Sequence, residues 1–241
     1  MQHILGANPI ADYPDSTEAA DVYKGLPVFA QKGLHKYILR LVCGSISSGA
    51  QILELGSGSG AFACRLMDAG FHVTCCDITA EKFEVTGSVP FIEADLNNTF
   101  GNLIGREFDA VISMEVIEHL ENPWQFLRQI VQLVRPGGTV IISTPNIDTP
   151  RSLLSFTKFG TFKYFKDSDY GPGGHISPIS QWQLFKIFER AGLSGIHMEG
   201  FGAPWGRGLR HLGAKLISLF MKNNPARFGP IVICVAVRPD K

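Results

Sequence analysis

The segment Ile52-Leu53-Glu54-Leu55-Gly56-Ser57-Gly58-Ser59-Gly60 constrains what this chain can fold into more than any other. An apolar run that ends in alternating glycines and is followed by Ala61-Phe62-Ala63-Cys64-Arg65-Leu66 reads as a buried strand, a tight turn and the start of a helix. Glycine is required there because the backbone must bend sharply and approach a ligand with no Cβ in the way, while the following helix presents free N–H groups. In open parallel sheets such a first strand-to-helix turn lies at the carboxyl edge, where the strand order reverses and ligands bind.

Downstream the alternation of short apolar runs with longer amphipathic ones continues, the signature of strands joined by helical crossovers. Strands are expected at Gln51–Leu55, His72–Cys76, Pro90–Ala94, Phe108–Ser113, Thr139–Ser143, Gly195–Glu199 and Ile231–Val237. Helices are expected at Gly60–Ala69, Thr79–Val85, Pro123–Val134, Ser180–Ala191 and about Arg207–Met221, with another over Pro27–Val42 that packs on the sheet or covers the site. Pro123 suits a first helical turn, and Gly137-Gly138 after Arg135-Pro136 makes a turn into the next strand.

With 241 residues, 45% of them hydrophobic, the chain can bury one sizeable core. The expected organisation is an N-terminal helical cap over residues 1–50 and an α/β domain over residues 51–241, interrupted by a lid-like insertion at about 144–174. Lys+Arg 22 against Asp+Glu 22 leaves no net charge, so no whole-protein field steers the chain to nucleic acid. The five cysteines include no Cys-x-x-Cys pair and read as reduced, mostly buried thiols. No basic start with an apolar stretch opens the chain, and no run approaches the ~20 apolar residues of a membrane span. A cytoplasmic protein is therefore expected. The amphipathic stretch Leu209–Phe220 is expected to pack on the core.

The glycine turn alone does not choose its ligand, because Gly56, Gly58 and Ala61 also satisfy the Gly-x-Gly-x-x-Gly/Ala pattern of dinucleotide sites. Three acids discriminate. Glu54, just inside the glycines, suits the ammonium of an amino-acid-bearing cofactor and would repel a pyrophosphate. Asp77 can accept hydrogen bonds from both ribose hydroxyls, and Asp95 stands where an adenine amino group could donate to it, with Ile78 and Leu96 on the two faces of the ring. Charge favours S-adenosylmethionine.

Taken together, Ile52–Gly60, Asp77, Ala94-Asp95-Leu96, the Phe108–Leu120 stretch and the Arg135-Pro136-Gly137-Gly138 turn resemble the successive motifs of class I S-adenosylmethionine-dependent methyltransferases, over about Gln51 to Leu193. Within that class, Glu115-Val116-Ile117-Glu118-His119-Leu120-Glu121-Asn122-Pro123 is similar to the motif of the ubiquinone-biosynthesis O-methyltransferase branch, and His175-Ile176-Ser177-Pro178 resembles that branch's segment with a second histidine. The resemblance implies a three-layer Rossmann-like fold whose mainly parallel seven-stranded sheet ends in an antiparallel strand, a role for Ile231–Val237. It also implies a cofactor site of Glu54, Gly56, Ser57, Gly58, Gly60, Asp77, Ile78, Asp95, Leu96 and Met114.

The chemistry asked of such a protein is alignment of a nucleophile with an already electrophilic methyl group. Removing the proton of a phenol-like hydroxyl, of pKa near ~10, is the remaining problem, and His119 is placed to help. Glu115, Glu118, His119 and His175 also form a set that suits a divalent cation of the magnesium or manganese class, which could bind vicinal hydroxyls. The expected partner is a small-molecule acceptor, hydrophobic or quinone-like. Two other functions fit the same residues: metal-assisted 2′-O-methylation of an RNA 3′ end, and a regulatory protein that binds the cofactor without turnover. The run of Phe156, Phe159, Phe162, Tyr164 and Phe165 interleaved with Lys158, Lys163 and Lys166 suits lid packing, an acceptor pocket or peripheral contact with anionic lipid. Trp182 is expected in the core, and Trp205 lining an acceptor pocket.

Overall fold

The computed structural model describes residues 22–85, 87, 89–202 and 227–240. The described part begins with a small antiparallel hairpin, β1 (Val22–Tyr23) and β2 (Leu26–Pro27), and helix α1 (Leu34–Ser45). There follow β3 (Gln51–Leu55), α2 (Ala61–Asp68), β4 (His72–Asp77), β5 (Phe91–Glu93), a short α3 (Gly101–Ile104) and β6 (Phe108–Met114). A 3₁₀ turn at Ile117–His119 leads to α4 (Pro123–Leu133), β7 (Val134–Pro145), α5 (Pro150–Phe159), α6 (Asp167–Gly173), α7 (Gln181–Arg190), β8 (Ser194–Phe201) and β9 (Ile231–Val237).

Seven strands pair in the order β5-β4-β3-β6-β7-β9-β8. Those from β5 through β7 run parallel, and β9 is antiparallel to both β7 and β8. The central strands are buried on both faces, which is why they read as nearly unbroken apolar runs. One face packs Phe126, Leu127 and Ile130 of α4 with Leu184 and Phe188 of α7 against Leu53, Leu55, Val111 and Val140. The other packs Leu34, Ile38 and Val42 of α1 with Phe62 and Leu66 of α2 against Ile52, Cys75, Ile112 and Ile141. The last strand shows the period-2 alternation directly, sending Val232, Cys234 and Ala236 to the first face and Ile231 and Ile233 to the second.

Helix starts follow local chemistry. Asn122, Thr149 and Ser180 cap α4, α5 and α7 by accepting from Gln125 N, Ser152 N and Gln183 N at 3.0, 3.1 and 3.1 Å, with Pro123 and Pro150 in the first turns of α4 and α5. Three expectations need correction. Thr79–Val85 is not a helix: Phe83 turns to pack on Phe91 at 4.6 Å between ring centroids, Val85 and Phe83 lie over Gly60, and Glu93 accepts from Ala80 N at 3.1 Å. That apolar packing competes with a helical turn and wins. Trp182 is not in the core but 71% exposed on the outer side of α7. Gly137-Gly138 lies inside β7, where Arg238 pairs with it through Gly137 N to Arg238 O at 2.8 Å and Arg238 N to Gly138 O at 2.9 Å. The helix expected at Arg207–Met221 and Trp205 lie outside the described residues.

A buried glutamine fastens α3 to α4. Gln129 Oε1 accepts from Phe100 N (2.7 Å) and Gly101 N (3.1 Å), and its Nε2 donates to Asn98 O (2.9 Å). Gln129→Leu keeps the volume and strands two buried N–H groups, so it should cost about 2–3 kcal/mol in chemical denaturation. A loss under half that would mean the turn finds other partners.

Candidate active site

The strand order reverses between β3 and β6, because the chain runs outward through β4 and β5 before returning to the other side of β3. At the carboxyl ends of these strands lies a cleft of about 470 Å³. Its floor is the β3–α2 turn, where Gly56, Gly58 and Gly60 take φ of 77°, 51° and 82°, a region that side chains rarely adopt. Space is as restrictive as backbone. A Cβ on Gly56 would stand 2.2 Å from Val116 Cγ2, and one on Gly60 would stand 2.1 Å from Val85 Cγ2. Ser57 is buried in the same turn and lines the cleft.

Glu54 points from β3 to the α2 face, one strand position from the apolar Leu53 and Leu55 that face the other way. Only 2% exposed, it meets the Cys75 thiol at 3.9 Å. Burial first, then the nearby Asp77 charge, push its carboxyl up to about 8. Asp77 ends β4 and binds the glycine turn, accepting from Gly58 N and Ile78 N at 2.7 Å each. Asp95 accepts from Asn97 N and Asn98 Nδ2 at 2.9 Å each and so shapes its own turn. Ile78, Leu96 and Met114 stand in the cleft wall with these acids. Ile78 is 62% exposed there, an apolar surface that a flat guest would cover.

The turn after β6 carries the second group. Glu115 has φ of 53°, and its Oε2 accepts from Gln31 N at 2.8 Å. Burial raises its carboxyl to about 7. Glu118 is fully buried: Oε2 accepts from Thr144 Oγ1 at 2.9 Å, whereas Oε1 has no partner among the described residues. Burial, then the Glu115 charge, hold the Glu118 carboxyl well above its ordinary range. The His119 and His175 rings meet edge to face with centroids 4.8 Å apart.

His175 arrives there because its segment is laid along the 3₁₀ turn. Ile176 N and Ser177 N donate to Glu118 O at 3.0 and 2.9 Å, and Ser177 Oγ donates to Leu120 O at 2.6 Å. The ring's Nδ1 lies 2.7 Å from Tyr164 O, so Nδ1 carries the proton and Nε2 keeps its lone pair. Phe165 closes one side at 5.5 Å. Candidate ligand atoms of Glu118, His119 and His175 lie within 4.8 Å of one another. The structure thus brings together three of the four residues expected to hold a metal and turns Glu115 to the backbone of Gln31 instead.

Sequence patterns gave little notice of the strap over residues 22–33. Its hairpin is tied to α2 by Lys24 to Asp68 at 2.6 Å, by Tyr23 to Asp68, and by the Arg65 guanidinium 3.9 Å over the Tyr23 ring. Ser59 Oγ donates to Pro27 O at 2.6 Å, and Phe29 lies beside Gly58 in the cleft wall. His35 also lines the cleft. Of the aromatic and lysine run, Phe156 and Phe162 stack on each other at 4.6 Å, and Lys158 and Lys166 lie over Phe159, itself 61% exposed.

Among the described residues no helix is long and apolar enough to cross a membrane. The family described as "Methyltransferase domain" matches residues 29–198. The ubiquinone biosynthesis O-methyltransferase of Aeromonas salmonicida is 32% identical over 162 residues, covering 62% of this chain and 67% of its own length. That of Rickettsia typhi is 38% identical over 105 residues, covering 41% of this chain and 42% of its own. These matches therefore span between about two fifths and two thirds of the relatives' lengths. In fold, the chain is similar to a SAM-dependent methyltransferase from Archaeoglobus fulgidus, with TM-score 0.59 and 18% identity over 86% of this chain and 94% of that one. It is similar also to the magnesium protoporphyrin IX methyltransferase of Synechocystis, with TM-score 0.58 and 20% identity over 85% and 82%. The Rossmann-like sheet expected from the sequence is the one observed, and the chain belongs to the methyltransferase-domain family.

Proposed function

We propose that this chain transfers a methyl group from S-adenosylmethionine to an oxygen of a small, hydrophobic, quinone-like acceptor. One observation carries the proposal: Glu54, Asp77 and Asp95 line a single cleft with the exposed Ile78, and His119 lines the same cleft. The name of the relatives, ubiquinone biosynthesis O-methyltransferase, supports an oxygen nucleophile and a quinone-like acceptor.

The cofactor supplies the electrophilic methyl; the chain positions and deprotonates. Glu54 would receive the ammonium group, Asp77 the ribose hydroxyls through lone pairs that Gly58 and Ile78 leave open, and Asp95 the adenine amino group. Ile78 and Leu96 would cover the base, and Met114 with the turn of Gly56, Ser57, Gly58 and Gly60 would hold the chain between. His119 would accept the acceptor's proton as the methyl is transferred. Residues 144–174, which carry α5, α6 and the Tyr164–Phe165 corner behind His175, would act as the lid that excludes water.

A second reading gives Glu118, His119 and His175 a divalent cation. The donor set fits: Glu118 Oε1 is buried and lacks a partner among the described residues, and the Tyr164 carbonyl takes Nδ1 of His175, leaving Nε2 as the atom to bind a metal. With Glu115 turned away, two imidazoles and one carboxylate suit manganese or zinc better than magnesium. Such an ion would lower the pKa of a coordinated hydroxyl. Glu118, Thr144 and Tyr164 would then hold and orient the ligands, leaving the cofactor end unchanged.

Two outcomes test this. Glu54 is neutral below about 8 without its guest, and an ammonium partner favours the carboxylate, so binding releases a proton. Affinity for S-adenosylhomocysteine measured by calorimetry should therefore rise about tenfold or more from pH 6 to 8, and Glu54→Gln should flatten that rise. A rise that survives in Glu54→Gln would remove Glu54 from the role. By the same sign, the raised Glu54 pKa favours the folded apo protein at low pH and is lost as pH climbs to 8. The second outcome concerns turnover on a catechol acceptor. His119→Ala should lower kcat by about 10²- to 10⁴-fold with S-adenosylhomocysteine affinity kept. Loss of turnover on chelation, restored by manganese in the wild type and not in His175→Ala, would favour the metal; indifference to both would discard it.

A further inference from the structure

A second cavity, of about 310 Å³, opens at the other end of the strands, on the amino edge of the sheet. It follows from a mismatch in strand length: β5 pairs only with Cys75, Cys76 and Asp77, so β4 runs on past the start of its neighbour at His72, Val73 and Thr74. The gap left there has apolar walls. Met67, Phe71 and Val73 form them on the side of α2 and β4, and Val89 and Pro90 on the side of the segment before β5.

One guanidinium stands among these walls. Arg106 donates to Thr74 Oγ1 and lies 4.7 Å over the Phe108 ring, and both anchors are buried, so the plane of the group is held. A guanidinium has five N–H donors in a flat fork, of which Thr74 takes one. No carboxylate lines the cavity among the described residues, and the acids next in sequence, Glu107 and Asp109, are paired with Arg238 and Arg135. An apolar chamber with one held fork is matched by an acid with a hydrocarbon body: parallel N–H···O bonds take the carboxylate, and the walls cover the rest.

The cavity also reaches the cofactor turn. Val89 and Pro90 close the stretch that leaves the cleft at Ile78 and Lys82. Along that stretch Phe83 and Val85 lie over Gly60, Glu84 N donates to Ser59 O at 3.2 Å, and Pro90 O accepts from Cys75 N at 2.8 Å. With no helix of its own, this stretch is held by what it packs on. A guest resting on Val89 and Pro90 therefore firms the contact of Phe83 and Val85 with the glycine turn, and the cofactor has less left to order.

We propose that this cavity is an effector site for a small carboxylic acid with an aromatic or branched apolar body, held by Arg106, whose binding tightens the cofactor site through Val89, Pro90, Val85 and Phe83. The coupling rests on the cofactor reading above; the site itself does not.

The test uses the full chain with benzoate as probe and benzamide as its uncharged counterpart. In calorimetry benzoate should bind about tenfold or more tighter than benzamide. Arg106→Gln should weaken benzoate by about tenfold, and Arg106→Lys, which keeps the charge and loses the fork, by less. Magnetisation transfer between the benzoate ring and the Val73 and Val89 methyl groups, read by NMR on the wild type, places the probe even if a variant fails to fold. Saturating benzoate should raise S-adenosylhomocysteine affinity by about three- to tenfold in the wild type and not in Arg106→Gln, and S-adenosylhomocysteine should raise benzoate affinity by the same factor. No binding of benzoate, equal binding of benzamide, or contacts at other methyl groups would overturn the site. Benzoate bound there with S-adenosylhomocysteine affinity unchanged would overturn the effector role. Benzoate bound there by a wild type that binds no S-adenosylhomocysteine would uphold the site and bring down the cofactor reading instead.

Discussion

The site depends on one close approach, that of the turn after β3 to the turn after β6. The Val116 side chain leaves no room for a methyl group on Gly56, so the two turns pack directly on each other. Strand order reverses at this point, and helices that would otherwise fill the edge are carried to opposite faces. Much of what lines the cleft hangs on the two turns: Glu54 and Asp77 beside the glycines, and Glu115, Glu118 and His119 through the residues that follow Met114. Among the described residues no salt bridge is recorded at either turn. Hydrogen bonds such as Gly58 N to Asp77 and Glu115 N to Ser143 O hold them, together with close packing that tolerates little adjustment.

Three carboxyls in or behind this cleft, Glu54, Glu115 and Glu118, are all shifted upward by burial. Each oxygen that is paired takes its hydrogen bond from a neutral donor, as with Gln31 N and Thr144 Oγ1. Burial thus favours the protonated form of these three acids beside the charge of Asp77, and a cationic guest favours their ionised forms. A cationic guest therefore creates part of the field that holds it, which suits a sulfonium carrying an ammonium group better than it suits a pyrophosphate.

How much of this was legible in the sequence follows from which forces are local. Capping residues, the glycine turn and buried parallel strands leave patterns within a few positions, so Asn122, Gly56–Gly60 and Gln51–Leu55 could be read directly. The convergence of His175 on His119 could be expected only through resemblance, since it depends on a segment laid along a turn 57 residues earlier. Thr79–Val85 has helical composition and no helix because its apolar side chains are spent on Gly60 and Phe91, partners far along the chain. Glu115 belongs by spacing with Glu118 and His119, yet its left-handed backbone aims it at Gln31.

The way His175 is fastened has a further consequence. Its segment is joined to the 3₁₀ turn by Ile176 N and Ser177 N on the carbonyl of Glu118, bonds that run from main chain to main chain. Those two bonds do not depend on side chains, as in a strand ladder, and the Ser177 hydroxyl adds one that does, to Leu120 O. The residues around the pair of histidines can therefore drift, altering the shape and polarity presented to an acceptor, while the two rings keep their spacing. Under the proposed function, such a build would let the part that selects a substrate change without moving the two histidines.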